Sequence, residues 1–228
     1  MDSHTAFLEL SCQVEACRLC PRLVAYREEV ARVKRRAFRR EPYWGKPVPG
    51  FGDEAARVLV VGLAPGAHGS NRTGRMFTGD DSGRFMYASL YRYGFASQPE
   101  AVSRDDGLTL KDLYITAVGR CAPPDNKPIT QELQNCRPYL LRELDLLMNL
   151  RGVVALGKIA YDAMFKILLA RGVVLPAVPF GHLAFARAGV AGFWLLGSYH
   201  PSRQNTQTGR LTPVMFDSVW ARVNELLA

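Results

Sequence analysis

Residues Arg57 to Gly83, RVLVVGLAPGAHGSNRTGRMFTGDDSG, constrain the fold more than any other stretch of the chain. They open with Val58, Leu59, Val60 and Val61, an apolar run without polar alternation, which is the pattern of a parallel strand covered on both faces. The run stops at Gly62, and Pro65, Gly66, Gly69, Gly74, Gly79 and Gly83 follow among polar residues. A glycine-rich loop after the first strand of an α/β sheet lies at the carboxyl edge, where such sheets bind ligands. The glycines form neither GxxxxGKS/T nor GxGxxG, so the loop reads as backbone brought close to a ligand other than a nucleotide cofactor. A tight strand-to-helix turn is the plainer alternative.

The rest of the chain keeps alternating strand, loop and helix. Pro21 starts a helix that carries Leu23, Val24, Val30 and Val33 on its apolar side. Residues 41–53, EPYWGKPVPGFGD, read as a loop leading into the first strand. Helical spacing follows over 83–93, then a second strand over 112–118 and a helix capped by Thr130. A third strand over 152–156, a helix over 158–170, a fourth strand over 193–198 and a closing helix over 213–227 complete the pattern. This alternation predicts a parallel sheet with helices on both faces. Its carboxyl edge gathers three loops of unusual composition, 62–83, 120–128 and 199–211. At 228 residues, 1–228 is read as one α/β domain.

With 48% hydrophobic and 22% charged residues the composition is that of a folded globular protein, which argues against disorder. No apolar run approaches the roughly 20 residues that a spanning helix needs, so no membrane partner is expected. The start MDSHTAFLELSC lacks the basic-then-apolar pattern of a signal peptide, and the expected location is cytoplasmic. The net charge is +8, and its densest cluster is Arg32, Lys34, Arg35, Arg36, Arg39 and Arg40. Such a balance favours a polyanionic partner through counterion release at phosphates, or else marks a solvated helix face.

Five cysteines in a cytoplasmic chain read as metal ligands before disulfides. Cys17 and Cys20 make a CxxC, Cys121 and Cys136 lie far off in sequence, and Cys12 is left over. A zinc ribbon typically shows two CxxC knuckles, and here there is one, so zinc, an iron-sulfur cluster and unconnected buried thiols all stay open on spacing. No flavin or nicotinamide fingerprint supplies an electron partner, which favours a structural role for any such centre.

Four segments, GLAPGAHGSNRTGRMFTGD, YITAVGRCAPPDNKP, Cys136-Arg137-Pro138 and HPSRQNTQTGRLT, together with Cys17 and Cys20, closely resemble the uracil-DNA glycosylase superfamily, specifically its iron-sulfur family 5. The resemblance runs in order from Cys17 to Leu211. It implies a three-layer αβα sandwich around a four-stranded parallel sheet. It also implies a 4Fe-4S cluster on Cys17, Cys20, Cys121 and Cys136 that ties down the N-terminal segment. The implied activity is hydrolysis of the N-glycosidic bond of uracil in DNA, with a monomeric enzyme expected. A non-catalytic iron-sulfur protein that binds nucleic acid is the competing reading, and a zinc-stabilised nucleotide-binding protein a third.

Uracil inside a duplex is inaccessible, so its nucleotide must be flipped into a pocket that stacks on the base and hydrogen-bonds its edge. Phe77 matches the family's stacking aromatic, and backbone around Gly62, Ala64, Pro65 and Gly66 is expected to line that pocket. Bond cleavage leaves positive charge on the sugar and negative charge on the leaving base, which calls for help on both sides. His200 matches the family's donor to the uracil oxygen. Related families carry an acid or amide where this chain has Leu63 and Ala64, and a uracil-reading asparagine where it has Ala117. Family 5 shares both departures and accepts a wider set of deaminated bases, hypoxanthine included. Asp80 is then the expected group for positioning water or stabilising the cation, with Asn126 and Asp81 as alternatives. Ser202, Arg203, Gln204, Asn205 and Arg210 are expected to engage DNA from the 199–211 loop.

Overall fold

The computed structural model describes residues 3–228. Two helices open the chain, α1 (Ser3–Glu15) and α2 (Pro21–Val33), and Pro21 occupies the first turn of α2, where its missing N–H costs nothing. Strand β1 (Phe51–Gly52) precedes β2 (Val58–Gly62), and the glycine-rich loop then holds one short helix, α3 (Ser70–Thr73), before α4 (Asp81–Arg92). Next come β3 (Leu113–Ala117), α5 (Thr130–Leu146), β4 (Gly152–Leu156) and α6 (Lys158–Ala170). The chain closes with β5 (Phe185–Arg187), β6 (Trp194–Ser198), α7 (Arg203–Gln207) and α8 (Pro213–Leu227).

The strands form one sheet in the order β1-β3-β2-β4-β6-β5. Its centre, β3-β2-β4-β6, is parallel, and every residue of these four strands is buried. The expected four-stranded parallel sheet is therefore corrected to six strands, because β1 and β5 add antiparallel edges to β3 and β6. Both edges are too short, at two and three residues, to leave an alternating pattern in the sequence. Side-chain alternation divides the core cleanly. Val58, Val60, Ile115, Val154 and Leu196 face α4 and α8 through Met86, Tyr87, Leu90, Phe216 and Trp220. Leu59, Val61, Tyr114, Val153 and Leu195 face the other layer, where Phe7, Leu140, Tyr161, Met164 and Leu168 cover them. These are the three layers that the strand-helix alternation predicts.

Two loops are more ordered than their composition indicates. The segment 41–53 contains β1, and the polar stretch 199–211 contains α7, whose first turn is capped by Ser202 accepting from the Asn205 N–H at 3.4 Å. No helix among the described residues is long and apolar enough to cross a membrane.

Candidate active site

All four central strands deliver their C-terminal ends to one edge. Gly62 at the end of β2 lies beside Ala117 at the end of β3, and Ser198 at the end of β6 lies beside Leu156 of β4. The Gly62 carbonyl accepts from Val118 N at 3.0 Å, and Leu63 O from Gly119 N at 2.8 Å, so the first loop starts in fixed register with the second. Gly66 O then accepts from Asn71 N at 3.0 Å and from Gly69 N at 3.3 Å, so the loop turns over residues 66–71 just after Ala64 and Pro65.

Phe77 packs against the end of β2. A Cβ at Gly62 would stand 2.8 Å from its ring, so only glycine lets the strand end lie against the aromatic face. The Phe77 backbone has φ of +52°, an unfavourable region for a bulky residue, and its neighbours hold it there. Tyr87 donates to Met76 O at 3.1 Å, and Arg75 Nε donates to Thr78 Oγ1 at 3.0 Å. The buried Arg75 also grips both carboxylate oxygens of Asp106 at 2.8 and 2.7 Å. Asp106, held below the usual carboxylate range by Arg75 and by backbone N–H groups against the opposing effect of burial, orders residues 102–108 beside the platform.

Asp80 caps α4 by accepting from Gly83 N at 2.9 Å. Its other carboxylate oxygen reaches back under the turn, where a Cβ at Gly69 would stand 1.9 Å away and one at Gly66 3.1 Å away. Burial pushes its pKa up, the Gly83 and Ser82 amides and the nearby Arg72 pull it down, and Asp81 adds repulsion. Asp81 instead faces solvent and pairs with Arg84 at 2.6 Å. Gly69→Ala is expected to dislodge the Asp80 carboxylate and cut turnover sharply with the fold retained. Catalytic rate measured alongside far-ultraviolet circular dichroism checks this.

His200 stands two residues beyond the end of β6, with its ring centroid 5.8 Å from that of Phe77 and the planes inclined by 32°. Burial holds its pKa down to about 4, so the imidazole is neutral near pH 7. Among the described residues no group hydrogen-bonds its ring, while its carbonyl accepts from Asn205 Nδ2 at 2.9 Å and Ser202 N at 2.8 Å. Ser202 and Asn205 are thereby structural partners of the His200 loop. Arg203, Gln204 and Arg210 are exposed, and the Arg210 guanidinium lies 4.9 Å from the Tyr199 ring centroid. Asn126 sits apart, exposed on a one-turn 3-10 segment (Pro124–Asn126) with φ of +56°, and its side chain makes no hydrogen bond among the described residues.

The cysteines gather on the flank of this edge. Cys20, Cys121 and Cys136 are buried and Cys17 is half-buried, whereas Cys12 is exposed. Arg27 Nη1 donates to Cys121 Sγ at 3.0 Å, and Asn135 Nδ2 to Cys20 Sγ at 3.3 Å. Burial pushes the Cys121 thiol up to about 12, opposed by Arg27 and reinforced by Cys136 and Cys17. Burial also raises Cys136, opposed by Arg120 and reinforced by Cys20 and Cys17. The four sulfurs thus lie within electrostatic reach of one another, although among the described residues no three such ligands converge tightly enough to hold a single metal ion. The surroundings fit an anionic sulfur-ligated centre, because Arg27 and Arg120 are buried here with Arg27 Nε and Arg120 Nε and Nη1 unpartnered. Arg22 of α2 clamps Glu132 of α5 at 2.8 and 2.7 Å, tying the helix after Cys20 to the helix that carries Cys136.

Sequence reasoning left Arg72, Arg75, Asp106 and Gly69 without roles. Arg72 and Arg75 fall within the NRTGR segment, and their regular spacing from Phe77 and Asp80 was the available signal.

A family model described as the Uracil DNA glycosylase superfamily matches residues 49–224. A Type-5 uracil-DNA glycosylase of Thermus thermophilus is 56% identical over 211 residues, covering 92% of this chain and 94% of that protein. Proteins of the same description from Mycobacterium tuberculosis and Pyrobaculum aerophilum are similar too. The first is 50% identical, with 96% and 81% of the two chains covered, and the second 47% identical, with 86% and 82% covered.

Proposed function

The chain belongs to the uracil-DNA glycosylase superfamily, and we propose that it hydrolyses the N-glycosidic bond of uracil in DNA and leaves an abasic site. The observation that carries the reading is the juxtaposition at one sheet edge of an aromatic platform, Phe77, a neutral imidazole, His200, and a partly buried carboxylate, Asp80. A base flipped from the duplex stacks on Phe77 and meets the backbone of Gly62, Ala64, Pro65 and Gly66. As the bond breaks, negative charge accumulates on the base oxygen and His200 donates an N–H to it. The ionised Asp80 faces the sugar, where it stabilises developing positive charge and orients the attacking water. Water adds to the anomeric carbon, its proton passes to Asp80, and the base departs with the bonding electron pair.

Leu63, Ala64 and Ala117 offer no side-chain polar group to the base, which supports acceptance of other deaminated bases such as hypoxanthine. Asn126, on its exposed turn, is retained as a second group that reaches the site when DNA is bound. Arg203, Gln204 and Arg210 contact phosphates beside the lesion, while Ser202 and Asn205 hold the His200 loop. The four cysteines suit a 4Fe-4S cluster, with Arg27 and Asn135 donating to its thiolates. Bound there, the cluster supplies a crosslink between the α1–α2 connection, the loop after β3 and α5.

A duplex with a single uracil, incubated with the protein and treated with alkali, tests the activity. Cleavage at the uracil position is expected, and a hypoxanthine duplex should also be cut. DNA binding without release of either base would select the non-catalytic reading. A brown preparation with broad visible absorbance is expected for the cluster, whereas a colourless zinc protein would remove it.

A further inference from the structure

The basic cluster in residues 34–40 has no part in the site described above, yet it is fastened to the glycine-rich loop. Tyr43 Oη lies 3.0 Å from His68 Nδ1, Trp44 N donates to Arg72 O at 2.9 Å, and Gly45 N donates to Asn71 O at 3.0 Å. Arg72 completes the attachment. Its guanidinium lies 4.0 Å from the Phe38 ring centroid, pairs with Glu41, and donates to His68 O at 2.9 Å and Gly79 O at 2.6 Å. Gly79 directly precedes Asp80. Burial first, then the charges of Arg35 and Arg72, hold the His68 imidazole below its usual pKa, which places Arg35 within electrostatic range of the loop.

The charges of this strap are uncompensated. Arg35, Arg36, Arg39 and Arg40 are exposed and form no ion pair among the described residues, whereas Arg32 just before them pairs with Glu29. Four free guanidinium groups in six residues repel one another, a cost that a polyanion relieves. They are fastened to the glycine-rich loop, a different loop of the sheet edge from the one that carries His200. A nucleotide flipped onto Phe77 has sugar-phosphate backbone continuing on both sides of it, and one loop grips only one side.

We propose that residues 35–40 form a second DNA grip, holding phosphates from the arm of the site built on the glycine-rich loop and separate from the 203–210 segment. This rests on the glycosylase reading for its substrate but not for its measurement, because phosphate contacts are independent of sequence and chemistry. Arg35→Ala/Arg39→Ala is compared with Lys111→Ala/Arg151→Ala, which removes the same charge from exposed positions at the amino-terminal edge of the sheet. Affinity for a uracil-free duplex is measured by fluorescence anisotropy across salt concentrations. The strap variant is expected to flatten the slope of log affinity against log salt by roughly 2, at about 0.9 per phosphate contact, with the control variant unchanged. On a uracil duplex the strap variant should raise the half-saturating DNA concentration more than it lowers the rate at saturation. Unchanged slopes in both variants, or equal flattening in both, would overturn the proposal. Failure of the glycosylase reading itself would appear separately, as absent base release by the unaltered protein.

Discussion

Asp80→Asn is expected to lower the single-turnover rate of uracil release by roughly 10²–10⁴-fold, the range over which a positioned acid-base group acts. Folding should survive the change. The amide oxygen of asparagine caps a helix as well as a carboxylate does, so the bond from Gly83 N to position 80 is kept. The substitution also removes a charge that burial disfavours. A carboxyl whose folded pKa is raised costs stability above that pKa and regains it as pH falls through it, so at neutral pH the amide variant should melt no lower than the parent. Activity runs the other way, because the proposed reaction uses the ionised form. The rate should fall as pH drops through the raised Asp80 pKa. Rapid-quench rates from pH 5 to 9, with melting temperatures at each pH, check both halves. A full rate in the Asn variant would remove Asp80 from the chemistry.

His200→Ala is expected to cost roughly 10²–10³-fold in the same single-turnover rate, as loss of one donor to a developing anion does. DNA affinity should change far less, since the proposed role of the ring is toward the leaving base and not toward the phosphates. The pKa near 4 sets a further expectation: the imidazole stays neutral across the working range, so it contributes no acid limb above about pH 5. Any acid limb above that pH disappears in Asp80→Asn and persists in His200→Ala. The reverse pattern would mean that the histidine works as a cation.

Where residues carried a period or a run, the sequence was easily read. The four buried parallel strands and the helices after them are legible because a fully covered strand has no polar position. The edge strand Phe51–Gly52 is not, since two residues flanked by Pro49 and Gly50 look like any proline-rich loop, and their pairing to Ile115 and Tyr114 is wholly tertiary. Helix α7 was hidden by its polarity, its stability coming from the Ser202 cap and not from an apolar stripe. At the site, Phe77, His200 and the cysteines were legible from motif order. The buried Arg75–Asp106 clamp was not, because its partners lie 31 residues apart and no local pattern joins them. The different surroundings of Asp80 and Asp81 appear only at the helix terminus, which turns one carboxylate inward as a cap and the next toward Arg84.

The division of the core between alternate residues of β2 sets where the pocket begins. Val58 and Val60 serve one layer, Leu59 and Val61 the other, and the strand ends at the glycine lying against Phe77. A slip of one residue would exchange the two layers wholesale and carry that glycine about 3.3 Å along the strand, out from beneath the aromatic ring. The pleat therefore acts as a ruler: the hydrophobic cores on either side of the sheet measure out the floor of the proposed base pocket, and a change deep in either layer can be read at its mouth.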